Sequence, residues 1–88
     1  MAWSIRFDEA ALAQMRKLDK TVARRIIAYL RETAESDDPR TRGKPLSANL
    51  AGLWRYRIGD YRVICEILNE RMTIYALQVG HRSRIYPH

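Results

Sequence analysis

Residues 54–62 read WRYRIGDYR, and this stretch predicts a tight β-hairpin. Apolar or aromatic side chains alternate with arginines on both sides of Gly59-Asp60, which is typical of strands with one buried face. A glycine at the first central position suits a two-residue turn, because that position requires a positive φ. We therefore predict strands over 53–58 and 61–68, joined by this turn.

The predicted hairpin sorts its side chains onto two faces, because successive residues of a strand point in opposite directions. Arg57 then lies opposite Arg62 on the neighbouring strand, and Arg55 lies opposite Ile64. We call the face that carries Arg55, Arg57 and Arg62 the arginine face. The other face is apolar and can be covered by helices; it carries Trp54, Tyr56, Ile58, Tyr61, Val63 and Cys65.

The arginine face places two permanent positive charges directly opposite each other. Like charges in that position cost up to about 1 kcal/mol, and arginine keeps its proton at physiological pH. A local conflict of this kind is typical of a functional site, and guanidinium groups bind phosphate oxygens in a bidentate manner. The face therefore predicts an anionic ligand; an exposed sheet face with screened arginines, softened by Glu66, is the simpler alternative.

A short strand and two helices precede the hairpin. The alternation in AWSIRF, residues 2–7, predicts a strand. Asp8 and Asp19 each stand before apolar residues at helical spacing, which predicts two capped helices, the first to about Leu18 and the second over 20–35. Such a pair forms an α-hairpin whose apolar stripe faces the core.

The remaining segments complete a single domain over 1–88. Residues 36–52 contain two prolines and two glycines and predict a loop, and a last strand is expected over about 71–79. The order predicts an α+β fold: an N-terminal strand, a two-helix hairpin, and then antiparallel strands that form one sheet with the helices on one face.

The composition favours a nucleic acid as the partner. The net charge is +6 and the pI is about 10.0, and residues 44–88 carry seven basic but only three acidic side chains. Cys65 is the single cysteine and lies in an apolar run, which indicates core packing. Neither a membrane span nor a secretory signal is expected, so we predict a cytoplasmic location.

The tail and the loop supply further candidate binding residues. The tail, 78–88, combines an imidazole, two arginines and a ring that can stack on a base, which are groups that RNA-handling sites use. These residues are His81, Arg82, Arg84 and Tyr86. In the loop, Arg40, Arg42 and Lys44 either contact phosphate or are solvated. No metal is expected, because His81 and His88 lack a carboxylate or cysteine at suitable spacing.

Three blocks resemble the RelE superfamily of type II toxin–antitoxin toxins: GKPL at 43–46, LWRYRIGDYRVICEI at 53–67 and VGHRSRIY at 79–86. The resemblance covers nearly the whole chain and implies a compact fold like that of microbial ribonucleases. It also implies a ribosome-dependent endoribonuclease that cuts mRNA in the A site. In that reaction the ribose 2′-OH attacks the adjacent phosphate without a metal or cofactor, which leaves a 2′,3′-cyclic phosphate and a 5′-OH.

The resemblance assigns roles to individual residues. Arg62 and Arg82 would hold the scissile phosphate and its developing charge, and Tyr86 would stack on or orient the base beside the cut. Lys44 and Arg84 are expected to add contacts to the RNA.

One departure from the family concerns the base. Arg55 and Arg57 occupy two positions that are lysines in well-studied relatives, and arginine is a poor general base at neutral pH. The 2′-OH must therefore be activated by His81, by Tyr86, by water or by ribosomal RNA. A histidine at a strand end with no chemical role is the alternative for His81.

The resemblance also implies partners. A cognate RelB-like antitoxin would wrap the toxin and cover the arginine face or a sheet edge. The complex would bind operator DNA only through the antitoxin. The other implied partners are the ribosome and mRNA, and no membrane contact is expected.

Two alternative functions stay open. A ParE-like toxin of similar fold inhibits DNA gyrase, although Arg62, Arg82 and Tyr86 argue against it. A non-catalytic RNA- or antitoxin-binding module is compatible with arginine at 55 and 57.

Overall fold

The computed structural model describes residues 2–85 and shows an α+β fold, as predicted. The strands are β1 (Ser4–Phe7), β2 (Lys44–Pro45), β3 (Trp54–Ile58), β4 (Tyr61–Leu68) and β5 (Thr73–His81), and the helices are α1 (Glu9–Lys17), α2 (Lys20–Ala34) and α3 (Arg82–Ile85). The five strands form one sheet in the order β1–β5–β4–β3–β2. Within the described residues, none of the helices has the length and apolar character of a membrane span.

The two aspartates begin α1 and α2 as expected. The carboxylates of Asp8 and Asp19 each accept a hydrogen bond from the backbone amide two residues later, at 3.2 and 3.0 Å. These bonds satisfy amides that the first helical turn leaves without a backbone acceptor. Ile26 and Leu30 of α2 are fully buried, so the apolar stripe of this helix lies in the core.

The hairpin forms in the predicted register. Arg57 pairs with Arg62 and Arg55 pairs with Ile64 across β3 and β4, and Gly59 adopts a φ of +60° in the turn. The apolar face of the hairpin belongs to the core, to which it contributes Tyr56, Ile58, Val63 and Cys65. The arginine face is therefore the side of the hairpin turned away from this core.

The sheet is mixed, whereas antiparallel strands throughout were expected. β1 lies parallel to β5, with Ser4 opposite Thr73 and Phe7 opposite Ala76, while β2 to β5 are antiparallel. Alternation in a sequence locates a strand but is the same for both directions of pairing, so the pattern did not reveal this partner.

The loop and the strand ends also differ from the prediction. The segment 36–52 contains the short strand β2 and two single-turn 3₁₀ helices, Pro39–Arg42 and Ala48–Leu50. β5 runs over 73–81 and not 71–79, because Asn69–Arg71 form another 3₁₀ turn before it. The chain therefore continues as a strand through Gly80 and enters α3 directly at Arg82.

Cys65 packs in the core, as its sequence context predicted. The residue is fully buried, and burial raises the pKa of its thiol to about 12. The thiol is therefore protonated at neutral pH, and the nucleophilic thiolate form is suppressed.

Candidate active site

The turn of the hairpin and the end of β5 meet at one end of the sheet. Arg62, near the start of β4, pairs with Gly80, and the amide of Arg82 donates a hydrogen bond to the carbonyl oxygen of Asp60 at 2.8 Å. Residues that are distant in the sequence therefore become neighbours. The candidate site residues at this end are Arg57, Arg62, His81 and Arg82.

Arg62 is the buried arginine of the site. Arg62 is only 7% exposed. Its Nη1 atom donates hydrogen bonds to the carbonyl oxygens of Gly59 at 2.9 Å and Tyr61 at 3.0 Å. These two carbonyl dipoles hold the guanidinium beside the turn and offset part of its repulsion with Arg57, which is exposed. The alternation of the sequence placed Arg62 on the arginine face but gave no sign of this burial.

Arg82 is exposed, as is Arg57. The Nε atom of Arg82 lies 4.0 Å from Oδ1 of Asp60, in an ion pair whose side chains are 65% and 72% exposed. A pair this exposed contributes little free energy, so the guanidinium can turn toward a ligand at low cost. Sequence analysis did not identify Asp60 as a contact of the site, because its pairing with Arg82 depends on the approach of β5.

His81 is held by Ser83. The hydroxyl oxygen of Ser83 lies 2.8 Å from Nδ1 of His81, and the backbone amide of Ser83 donates a hydrogen bond to the same Nδ1 atom at 3.2 Å. The imidazole also packs edge-on against the ring of Tyr61, with the ring centroids 5.5 Å apart. Since Nδ1 is engaged by Ser83, Nε2 is the ring nitrogen that can exchange a proton with a substrate. A serine two residues after a strand-end histidine was the available signal, and sequence analysis missed it.

Arg55 and Lys44 extend the basic surface along the sheet. They are cross-strand partners of β3 and β2, and Lys44 is exposed whereas Arg55 is half-buried. The Nε atom of Arg55 is buried and has no hydrogen-bond acceptor within residues 2–85. Arg55 lies two residues from Arg57, about 7 Å along the strand, so these side chains flank the site and do not reach the turn.

Arg84 lies at a cleft beside the site. The cleft has a volume of about 580 Å³ and follows the edge of β5 beyond β1; the residues that border it include Gln14, Lys17, His81, Ser83 and Arg84. The Gln14 side chain accepts a hydrogen bond from the amide of Val79 at 2.7 Å, which satisfies one amide of β5 beyond the part that pairs with β1. Tyr86, the predicted base-stacking residue, lies outside the described residues.

A family model described as the ParE toxin of the type II toxin–antitoxin system parDE matches residues 5–86. The chain belongs to this RelE/ParE superfamily of toxins. The predicted superfamily is therefore confirmed, and the match extends over almost the entire chain.

Two curated relatives and two solved structures agree with this assignment. Toxin RelG of Mycobacterium tuberculosis (strain ATCC 25618 / H37Rv) is 37% identical over 89 residues, with 98% of both chains covered. The mRNA interferase toxin RelE of Escherichia coli (strain K12) is 31% identical over 87 residues, with 96% of this chain and 87% of the relative covered.

Both solved structures share the fold of this RelE/ParE toxin. The toxin–antitoxin complex RelBE2 of Mycobacterium tuberculosis matches with a TM-score of 0.85 at 28% identity, covering 94% of each chain. The isolated RelE toxin of E. coli matches with a TM-score of 0.75 at 26% identity, covering 91% of this chain and 84% of that one. The predicted fold is therefore confirmed at the level of the superfamily.

Proposed function

We propose that this RelE/ParE toxin is a ribosome-dependent endoribonuclease that cuts mRNA in the A site and so inhibits translation. The observation that carries the proposal is that Arg57, Arg62 and Arg82 lie at one end of the sheet. His81 lies at the same end, on the face of its cross-strand partner Tyr61 and therefore across the sheet from the arginine face. The relative named an mRNA interferase toxin, at 31% identity, supports the same reaction class for this chain.

The proposed reaction is an internal transfer at the phosphate. The ribose 2′-OH attacks the adjacent phosphorus, the bond to the 5′-oxygen breaks, and the products are a 2′,3′-cyclic phosphate and a 5′-OH. Negative charge accumulates on the phosphoryl oxygens in the transition state, and fixed cationic donors lower its free energy. Arg62 supplies an oriented guanidinium beside the turn, and Arg82 supplies an exposed one that can close on the phosphate.

One proton must leave the 2′-OH and another must reach the 5′-oxygen. Nε2 of His81 is the proposed proton-transfer atom, and Ser83 is its positioning residue. Nδ1 accepts a hydrogen bond from the backbone amide of Ser83, so the neutral ring in this arrangement carries its proton on Nε2, from which it can be delivered to the 5′-oxygen. Acceptance of the 2′-OH proton at Nε2 requires the other tautomer, which donates from Nδ1 to the Ser83 hydroxyl. Tyr86 is proposed to stack on the neighbouring base, and Lys44, Arg55 and Arg84 to contact the RNA backbone.

The proposed partners follow from the same assignment. A relative at 28% identity was solved as a toxin–antitoxin complex, which supports a cognate RelB-like antitoxin for this chain. Such an antitoxin is proposed to cover the arginine face or a sheet edge and to carry the operator-DNA contacts of the complex. A ribosomal target places the protein in the cytoplasm.

The proposed activity is tested by adding the purified protein to translating ribosomes and mapping the ends of the mRNA. We expect new 3′ ends that carry cyclic phosphates at codons in the A site. Translating ribosomes whose mRNA remains intact would overturn the proposal.

A gyrase inhibitor is the second candidate, and the description of the matching family as a ParE toxin favours it. The two candidates differ in their target, so a DNA supercoiling assay separates them. We expect gyrase to retain its activity in the presence of this protein. Inhibition of supercoiling together with intact mRNA would replace the first proposal by the second.

The role of His81 predicts a change in the pH–rate profile. In the His81→Ala variant we expect slower cleavage and the loss of one limb of the pH–rate profile. If the affected limb of the wild-type profile is a decrease of the cleavage rate toward acidic pH, His81 acts as the general base. If it is a decrease toward alkaline pH, His81 acts as the general acid. A variant with the wild-type profile would exclude His81 as the proton carrier.

A further inference from the structure

A second basic pocket, of about 290 Å³, lies between α2, the loop after it and the end of β3. Three arginines from separate parts of the chain line it: Arg25 from α2, Arg42 from the loop and Arg57 from β3. Among the described residues that line it, Glu32 is the one acid. Within residues 2–85, Arg25 and Arg57 form no ion pair, so the pocket carries a clear excess of positive charge.

Arg42 is held in place before any ligand arrives. Its Cζ atom lies 3.9 Å from the centroid of the Tyr29 ring, and its Nη1 atom lies 3.6 Å from Oε1 of Glu32. The loop that carries Arg42 is fixed to the core, because the buried hydroxyl of Tyr56 donates a hydrogen bond to the carbonyl oxygen of Pro39 at 2.8 Å. A guanidinium that is already ordered loses less conformational entropy when it binds.

The guanidinium of Arg25 lies close to the backbone of the hairpin turn. A Cβ atom at Gly59 would lie 2.9 Å from Nη1 and 3.3 Å from Cζ of Arg25. Gly59 therefore meets two requirements at once: it adopts the positive φ of the turn, and it leaves room for the guanidinium to approach the backbone. The same turn that organises the candidate active site thus sets one wall of this pocket.

We propose that the second basic pocket binds a backbone phosphate of single-stranded RNA, next to the site of cleavage. Guanidinium groups match phosphate oxygens in geometry and charge, and single-stranded RNA bound by a basic groove follows its cationic side chains. Arg57 belongs both to the arginine face and to this pocket, so it links the two along one strand of RNA. The choice of RNA as the source of the phosphate rests on the proposed function.

The test measures binding without ribosomes and without cleavage. The probe is a short, fluorescein-labelled single-stranded RNA with 2′-O-methyl groups, which lack the attacking hydroxyl, and its affinity is measured by anisotropy over a range of salt concentrations. The test variant is Arg25→Gln combined with Arg42→Gln. Its matched control is Arg24→Gln combined with Arg31→Gln, which removes the same charge from exposed positions of α2 outside the pocket.

We expect the test variant to bind the probe about tenfold more weakly. We also expect the slope of log affinity against log salt to become shallower by about 0.7, the value for one phosphate contact on a single strand. The control is expected to keep the wild-type slope. If affinity and salt slope change equally in both variants, the pocket contributes only unspecific surface charge, and the proposal is wrong. If the test variant keeps the wild-type affinity and slope, the pocket is not a phosphate site.

Two further measurements test whether the loss of affinity comes from unfolding and whether the pocket prefers a carboxylate ligand. If circular dichroism shows that the test variant is unfolded, Arg25→Lys combined with Arg42→Lys replaces it. We expect this variant to lose less affinity, because lysine keeps the positive charge but lacks the bidentate donor geometry of the guanidinium. An oligoglutamate peptide is titrated in parallel, and tighter binding of the peptide than of the RNA would assign the pocket to a carboxylate ligand and overturn the proposal. Intact mRNA on ribosomes would refute the proposed function alone, since this assay needs no cleavage.

Discussion

Replacing Arg82 by alanine is expected to slow mRNA cleavage on ribosomes by at least about tenfold, because the change removes a cation that stabilises charge in the transition state. The side chain is 65% exposed and its ion pair with Asp60 is weak, so the fold should survive the substitution. The backbone amide of Arg82, which is bonded to the carbonyl of Asp60, remains in place. The measurement is the single-turnover rate at saturating toxin.

The matched control for Arg82 is Arg71→Ala. Arg71 is also an exposed arginine, but it lies in the turn between β4 and β5, at the opposite end of the sheet from the hairpin turn. We expect the control to cleave at the wild-type rate. An Arg82→Ala protein that still cuts mRNA at that rate and still arrests growth would take Arg82 out of the site.

Replacing Arg62 by alanine is expected to have two effects. Cleavage should fall by at least about tenfold, for the same electrostatic reason. The free energy of unfolding should also fall by about 1–3 kcal/mol, because Nη1 of Arg62 bonds two carbonyl oxygens of the hairpin. Urea titration measures the second effect, and the cleavage rate is then compared per folded molecule.

Ile74→Val separates these two effects of Arg62. It removes one methylene group from a fully buried side chain of the core, which should lower the free energy of unfolding by about 1 kcal/mol. Ile74 lies near the start of β5, at the opposite end of the sheet from the hairpin turn, so its loss of stability should leave the cleavage rate unchanged. Equal slowing in both variants would attribute the Arg62 result to stability, and normal cleavage by Arg62→Ala would refute its role.

Much of the candidate site was predictable because it depends on one hairpin. Alternation over 54–62 and a glycine at the turn placed Arg57 opposite Arg62, and the structure has this register. The contacts that orient the site side chains were not predictable in the same way. The two carbonyl acceptors of Arg62 and the approach of Arg82 to Asp60 depend on how the turn meets β5, and no local pattern encodes that meeting.

The sequence by itself determined the features that depend on neighbours a few residues apart. Caps at Asp8 and Asp19, helical spacing in α2 and the two faces of the hairpin are of this kind, because their hydrogen bonds and side-chain directions are local. Only the tertiary structure decided which distant segments meet. The parallel pairing of β1 with β5 and the pocket that joins Arg25, Arg42 and Arg57 both arise from packing of the whole core, whose burial energy depends on many residues at once and on no single stretch.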